Sequence, residues 1–140
     1  MGAGIDYVRE FQRAAAKRRE AARILFGHNP PHFTDAVYLA GYTAECMLKA
    51  LILNSVPRRT HVDVIGTNFR GQRGHNLTVL WDHVCQLGIN APPGIRVASR
   101  HLSTWTTDLR YETSEFDADE AKRFLSDVDL LTNWVKERLK

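Results

Sequence analysis

Residues 34–54, TDAVYLAGYTAECMLKALILN, are apolar at almost every position. A helix opening near Thr34 and running to about Asn54 would have no wholly polar face. It must therefore be surrounded, either as the central helix of a bundle or as one shared with a second subunit. Its remaining polar or small positions are not scattered. Thr34, Tyr38, Gly41, Glu45 and Lys49 follow steps of four, three, four and four, which lines them along one ridge. In one reading the ridge faces water, and Glu45 and Lys49 form an i,i+4 pair worth a few tenths of a kcal/mol. In the other it lines a polar cleft, where an ionised Glu45 needs a cation from elsewhere.

The flanking sequence supplies partners for such a helix. From Ile5 to Phe26, Val8, Phe11, Ala15, Ala22 and Leu25 recur at helical spacing, opposite an exposed ridge of Arg9, Arg13, Lys17 and Glu20. Gly27, His28, Asn29 and Pro30-Pro31 stop it. Leu77, Leu80, Trp81, Val84 and Leu87 predict a short third helix closed by Gly88. Ile95, Ala98, Leu102, Trp105 and Leu109 predict a fourth. A last helix starts at Asp117, whose spacing to Glu120 fits a capping box. Its inward face is Ala121, Phe124, Val128, Leu131, Val135 and Leu139. Five helices with mostly short connections predict an all-α, up-and-down four- or five-helix bundle in one domain, residues 1–140. The connection from Ser55 to Asn76 is too long for an idle loop.

Composition narrows the function classes without choosing one. Hydrophobic residues are 44%, charged residues 25% and the formal net charge is +3, with a sequence pI near 9.1. These values fit a soluble globular domain and permit an acidic partner without requiring one. No membrane span or signal peptide is expected. Cys46 and Cys85 read as two reduced, buried thiols of a cytoplasmic protein. No histidine pair has metal-ligand spacing on one helix, and no phosphate loop or nucleophile turn is present. Neither metal nor cofactor is expected.

Two arginines are candidates for the cation near Glu45. Arg18 falls at the edge of the first helix's apolar arc, where a snorkelling side chain is the plainer explanation. Arg110, within WTTDLRYETSEF (105–116), follows the fourth helical pattern.

At this point the chain resembles a known family. AVYLAGYTAECMLKALI is similar to the second-helix signature of HEPN domains, an apolar helix with a Glu followed by LKAL. GHNLTVLWDHV resembles the family's next element, a His before a short Leu-patterned helix. LRYET before a capped amphipathic helix stands where the family carries its functional arginine. The resemblance spans about residues 5–138. It implies an all-α bundle, usually a homodimer, found in toxin–antitoxin, defence and RNA-processing systems, and here a possible partner of the nucleotidyltransferase-type antitoxin class.

The resemblance also implies a chemistry. Active HEPN ribonucleases pair an Arg with a His after four to six intervening residues, commonly with a polar residue such as Asn directly after the Arg, and cut RNA without metal. Arg can stabilise an anionic phosphorane while His moves a proton. Counting from Arg110, those positions hold Glu115, Phe116 and Asp117, and the next residue is Tyr111. Arg70 and His75 match the literal spacing, but they lie in a Gly-rich stretch that reads as flexible. There His75 and Asn76 are expected to cap the third helix. His101 lies about 13 Å before Arg110 if one helix carries both.

The connection holds Arg58, Arg59, Arg70 and Arg73 against Asp63, with Phe69 between, whereas the last 30 residues hold eight acids and five bases. Arginines with an aromatic suit single-stranded RNA or a nucleotide, and equally an ordinary solvated loop. The leading expectation is a non-catalytic module binding a nucleotide, RNA or a partner protein through Arg110, Tyr111, Glu45, Lys49 and Tyr38. The alternatives are a metal-independent endoribonuclease using Arg110 with Glu115, His75 or a partner subunit's histidine as base, and a structural dimerisation domain.

Overall fold

A computed structural model of the chain describes residues 4–140. Among these residues all regular structure is helical: α1 (Tyr7–Gly27), α2 (Phe33–Asn54), α3 (His61–Asn68), α4 (Leu77–Gln86), α5 (Pro93–Leu102) and α6 (Ala118–Leu139). Three 3-10 turns join them, at Arg58–Thr60, Gly71–His75 and Thr107–Tyr111. The expected all-α bundle forms, with α2 at its centre.

The composition of α2 explains that position. Ala36, Val37, Ala40, Ala44, Met47, Leu48, Leu51, Ile52 and Leu53 are all buried. Burying each large one stabilises the fold by roughly 1.5–3 kcal/mol. Helices α1, α4 and α6 and the turns at Gly71–His75 and Thr107–Tyr111 pack around it. One protomer therefore covers this helix, and its apolar character does not call for a second subunit. By length and composition α2 does meet the requirement for crossing a membrane, contrary to the reading of the sequence, but most of it is buried in the bundle. α1 presents the face read from its spacing: Ala15 and Ala22 are buried and Arg9, Arg13, Lys17 and Glu20 are exposed. Thr43 Oγ1 also donates to the Ala15 carbonyl at 3.2 Å, tying the two helices.

Three expectations need correction. The connection after α2 is not a loop: it holds α3 and two 3-10 turns. Two of its glycines are structural, because a Cβ at Gly74 would overlap the Phe69 backbone, and Gly71 sits at φ +65 where a side chain is strained. The fourth helical pattern is also not one helix. Ser103 Oγ donates to the Arg100 carbonyl (2.6 Å) and Thr104 Oγ1 to the His101 carbonyl (3.1 Å). These hydroxyls cap the end of α5 after Leu102. Trp105 stays in the core all the same. Finally, Cys85 is exposed and only Cys46 is partly buried. Burial, and next the nearby Glu45 charge, push the Cys46 thiol up to about 11.

Candidate functional site

The ridge of α2 does not face water. Thr34, Gly41, Glu45 and Lys49 are buried and Tyr38 is half-buried, and each meets a segment from later in the chain or its own neighbour. Thr34 Oγ1 donates to the Ser114 carbonyl (3.0 Å) and accepts from the Phe116 N–H (2.9 Å). The Thr34 backbone N–H donates to Glu115 Oε1 at 2.6 Å. Glu115 thus caps the start of α2, whose own N-cap residue, His32, offers no side-chain bond. At the other end, His61 Nε2 donates to the Leu53 carbonyl at 2.6 Å.

Gly41 lies under Trp105, and a Cβ there would overlap the indole. The indole N–H donates to the Tyr38 carbonyl at 3.2 Å. Its ring stacks on Tyr38 (6.3 Å between centroids) and meets Tyr42 edge-on (5.1 Å). The Tyr38 and Tyr42 hydroxyls lie 3.1 Å apart. Burial first, and then the hydrogen bond to Tyr38, raise the Tyr42 phenol pKa, while the charge of Arg110 opposes the rise.

Glu45 is 4% exposed and has two partners. Oε2 accepts from Lys49 Nζ at 2.7 Å and Oε1 from His75 Nδ1 at 2.9 Å. Lys49, 5% exposed, also lies over the Phe69 and Phe11 rings at 5.4 and 5.8 Å. Neither Arg110 nor Arg18 supplies the cation for Glu45; its own helix and the Gly71–His75 turn do. His75 does not cap α4 either. Asn76 does so, accepting from the Val79 N–H at 3.1 Å. Held at Nδ1, the exposed His75 ring faces a groove of about 440 Å³ bounded by Arg73 and Asn76 on one side and Ser103 to Asp108 on the other. The sequence signal for this residue, a His five positions after Arg70, was present, but it was read as sitting on a flexible segment.

Arg110 and Tyr111 end the 3-10 turn that forms one wall of this groove. The guanidinium lies 4.9 Å from the Tyr111 ring centre. The Tyr111 phenol, and less strongly that of Tyr38, raise the Arg110 pKa. Both side chains are exposed, Tyr111 at 73%. His101 is not on a helix shared with Arg110, so the 13 Å separation does not apply; it pairs with Asp127 of α6 at 3.2 Å. The four arginines of the connection are divided. Arg73 borders the groove, and Arg70 is exposed at the head of its turn. Arg58 and Arg59 stand beyond the far end of α2, about 24 Å along the helix from the level of Tyr38. There Arg58 lines a separate hollow with Asp6, Arg9 and His61.

The HEPN domain model matches residues 8–138. The chain belongs to the HEPN domain family. No curated protein and no solved structure matches it. In this HEPN domain the three positions that would offer a histidine after Arg110 do other work. Glu115 caps α2, Phe116 packs on the core, and Asp117 caps α6 by accepting from the Glu120 N–H at 2.8 Å. Among the described residues, no group of three or more His, Cys, Asp or Glu could hold a metal.

Proposed function

We propose that this HEPN domain is an RNA-binding module that holds its ligand through Arg110 and Tyr111 and does not cut it there. The observation that supports this most directly is the exposed Arg110–Tyr111 pair on a turn braced by Trp105. A guanidinium for phosphate and a free aromatic face for a base are the two elements of a single-strand contact. Tyr38 acts beneath it as support, and Glu45 and Lys49 hold the neighbouring Gly71–His75 turn. The module is a cytoplasmic homodimer, working beside a partner of the nucleotidyltransferase-type antitoxin class in a toxin–antitoxin or defence setting.

A second reading has its own observation. The buried Glu45 fixes His75 by Nδ1, which leaves Nε2 as the atom able to exchange a proton in the groove, an arrangement used for general base catalysis. In that case Nε2 takes the proton of a ribose 2′-hydroxyl, the 2′-oxygen attacks phosphorus, and the departing 5′-oxygen receives the proton back.

Mixed single-stranded RNA incubated with the protein in EDTA, beside Arg110→Ala and His75→Ala, separates the two. Intact RNA throughout, with binding lost in Arg110→Ala, is expected. Cleavage that disappears in His75→Ala would replace the first reading with the second. Light scattering checks the homodimer: the mass should be twice the 15.9 kDa of one chain.

A further inference from the structure

The groove beside His75 does not end at α4. A second hollow of about 250 Å³ lies between α4 and α5, walled by Trp81, Arg96 and Arg100. Thr78 and Ser103 border both hollows, so the two adjoin. End to end they mark a channel that starts at the Thr107–Tyr111 turn, passes Arg73 and His75 across Thr78 and Ser103, and follows α5 back toward its N-terminus.

Its walls are mainly basic. Arg73, Arg96 and Arg100 are exposed, and among the described residues none of them is in a salt bridge or side-chain hydrogen bond to an acid. Asp108 is the one acid bordering either hollow. Trp81 is half-buried and braced from behind by Trp134, 5.9 Å between ring centres. A fixed indole between free guanidiniums suits a flexible polyanion with flat groups, whereas an acidic peptide has no use for the ring.

We propose that this channel is the path of a single-stranded RNA, with Trp81 as a stacking platform and Arg73, Arg96 and Arg100 as phosphate contacts. The proposal rests on the RNA-binding reading and adds the route that the strand takes away from Arg110. The footprint is short, about four nucleotides, at the low end for stacking sites.

The test is fluorescence anisotropy with fluorescein-labelled single-stranded RNAs of four, eight and twelve nucleotides. The proteins are the wild type, Arg96→Glu/Arg100→Glu, Trp81→Phe, Arg110→Ala and, as a control at the far end of α2, Arg58→Glu/Arg59→Glu. The exposed double variant is expected to bind roughly tenfold or more weakly, from the loss of two phosphate contacts, and to keep its circular dichroism and melting temperature. Trp81→Phe keeps an aromatic face and should stay within about threefold of wild type. Weakening in Arg110→Ala but not in Arg96→Glu/Arg100→Glu would overturn the channel and leave the RNA-binding reading standing. No RNA binding by the wild type would overturn that reading and the channel with it. Polyglutamate competing as well as RNA would overturn stacking on Trp81.

Discussion

Gly41 is where the absence of a single carbon positions the whole candidate site. The indole of Trp105 occupies the space of its missing Cβ and carries the turn that presents Arg110. Gly41→Ala should therefore destabilise the fold by about 1–3 kcal/mol, as overpacking does, and shift the tryptophan emission; an unchanged melt would show that the indole moves freely. The buried Glu45–Lys49 pair gives a second prediction. Lys49→Met leaves Glu45 with only His75 and should cost about 3–5 kcal/mol, because the buried carboxylate loses its one permanent cation. The double variant Glu45→Met/Lys49→Met removes that charge and should cost less than Lys49→Met alone, which chemical denaturation can measure. The i,i+4 spacing made the Glu45–Lys49 pair legible in the sequence. Its burial was not, because the same spacing serves a solvated ridge, and what covers it is a turn folded around Gly74. For the same reason His75 looked like a residue of a loose segment. Arg19, which the sequence did not single out, makes a two-pronged pair with Asp129 of α6 at 2.6 and 2.8 Å; nothing in the sequence places α6 beside it.

Among the elements, the segment between the Thr107–Tyr111 turn and α6 ties two helix starts together. Glu115 accepts from the first turn of α2 and Asp117 from that of α6, so each satisfies a backbone donor that its helix cannot. Glu115→Ala should lower stability by about 1 kcal/mol, the usual effect of a lost cap; no change in thermal melting would mean that water replaces the carboxylate without cost. Asp117 adds a pH dependence. Backbone hydrogen bonding from Glu120 is the first cause that lowers its pKa below 3.8. A carboxyl lowered in the folded state stabilises above its unfolded value and loses that contribution as pH falls through the folded one. Wild type should thus lose stability as pH falls through that lowered value, in a step that Asp117→Asn lacks, visible in acid titration by circular dichroism. The D-x-x-E spacing made this cap readable in advance, since both partners are local. The Glu115 cap joins residues 81 positions apart, and no local pattern announces it. The break after Leu102 was hidden for a related reason. Ile95, Ala98, Leu102, Trp105 and Leu109 all turn inward across it, so the apolar spacing carried on while the backbone did not.

For the molecule as a whole, the bundle was legible because α2 has no polar face and α1, α4 and α6 each have one apolar stripe. Charge was less legible, since its distribution depends on which loops fold against which face. Summed over the sequence it is only +3. In the fold, Arg73, Arg96 and Arg100 gather from two separate stretches onto the face between α4, α5 and the Thr107–Tyr111 turn, and Arg110 stands exposed near the end of that turn, while Arg58 and Arg59 stand at the other end of α2. Ionic strength tests that division. A single strand that engages the first four should lose affinity with a slope of log K against log salt of about −3, from roughly −0.7 per neutralised phosphate. A strand that also reached Arg58 and Arg59 would steepen the slope to about −4 by the same rule. The Arg58→Glu/Arg59→Glu variant should therefore keep the wild-type slope, and Arg96→Glu/Arg100→Glu should flatten it by at least one unit. The reverse pattern would put RNA at the far end of α2 and leave the groove beside His75 for another ligand.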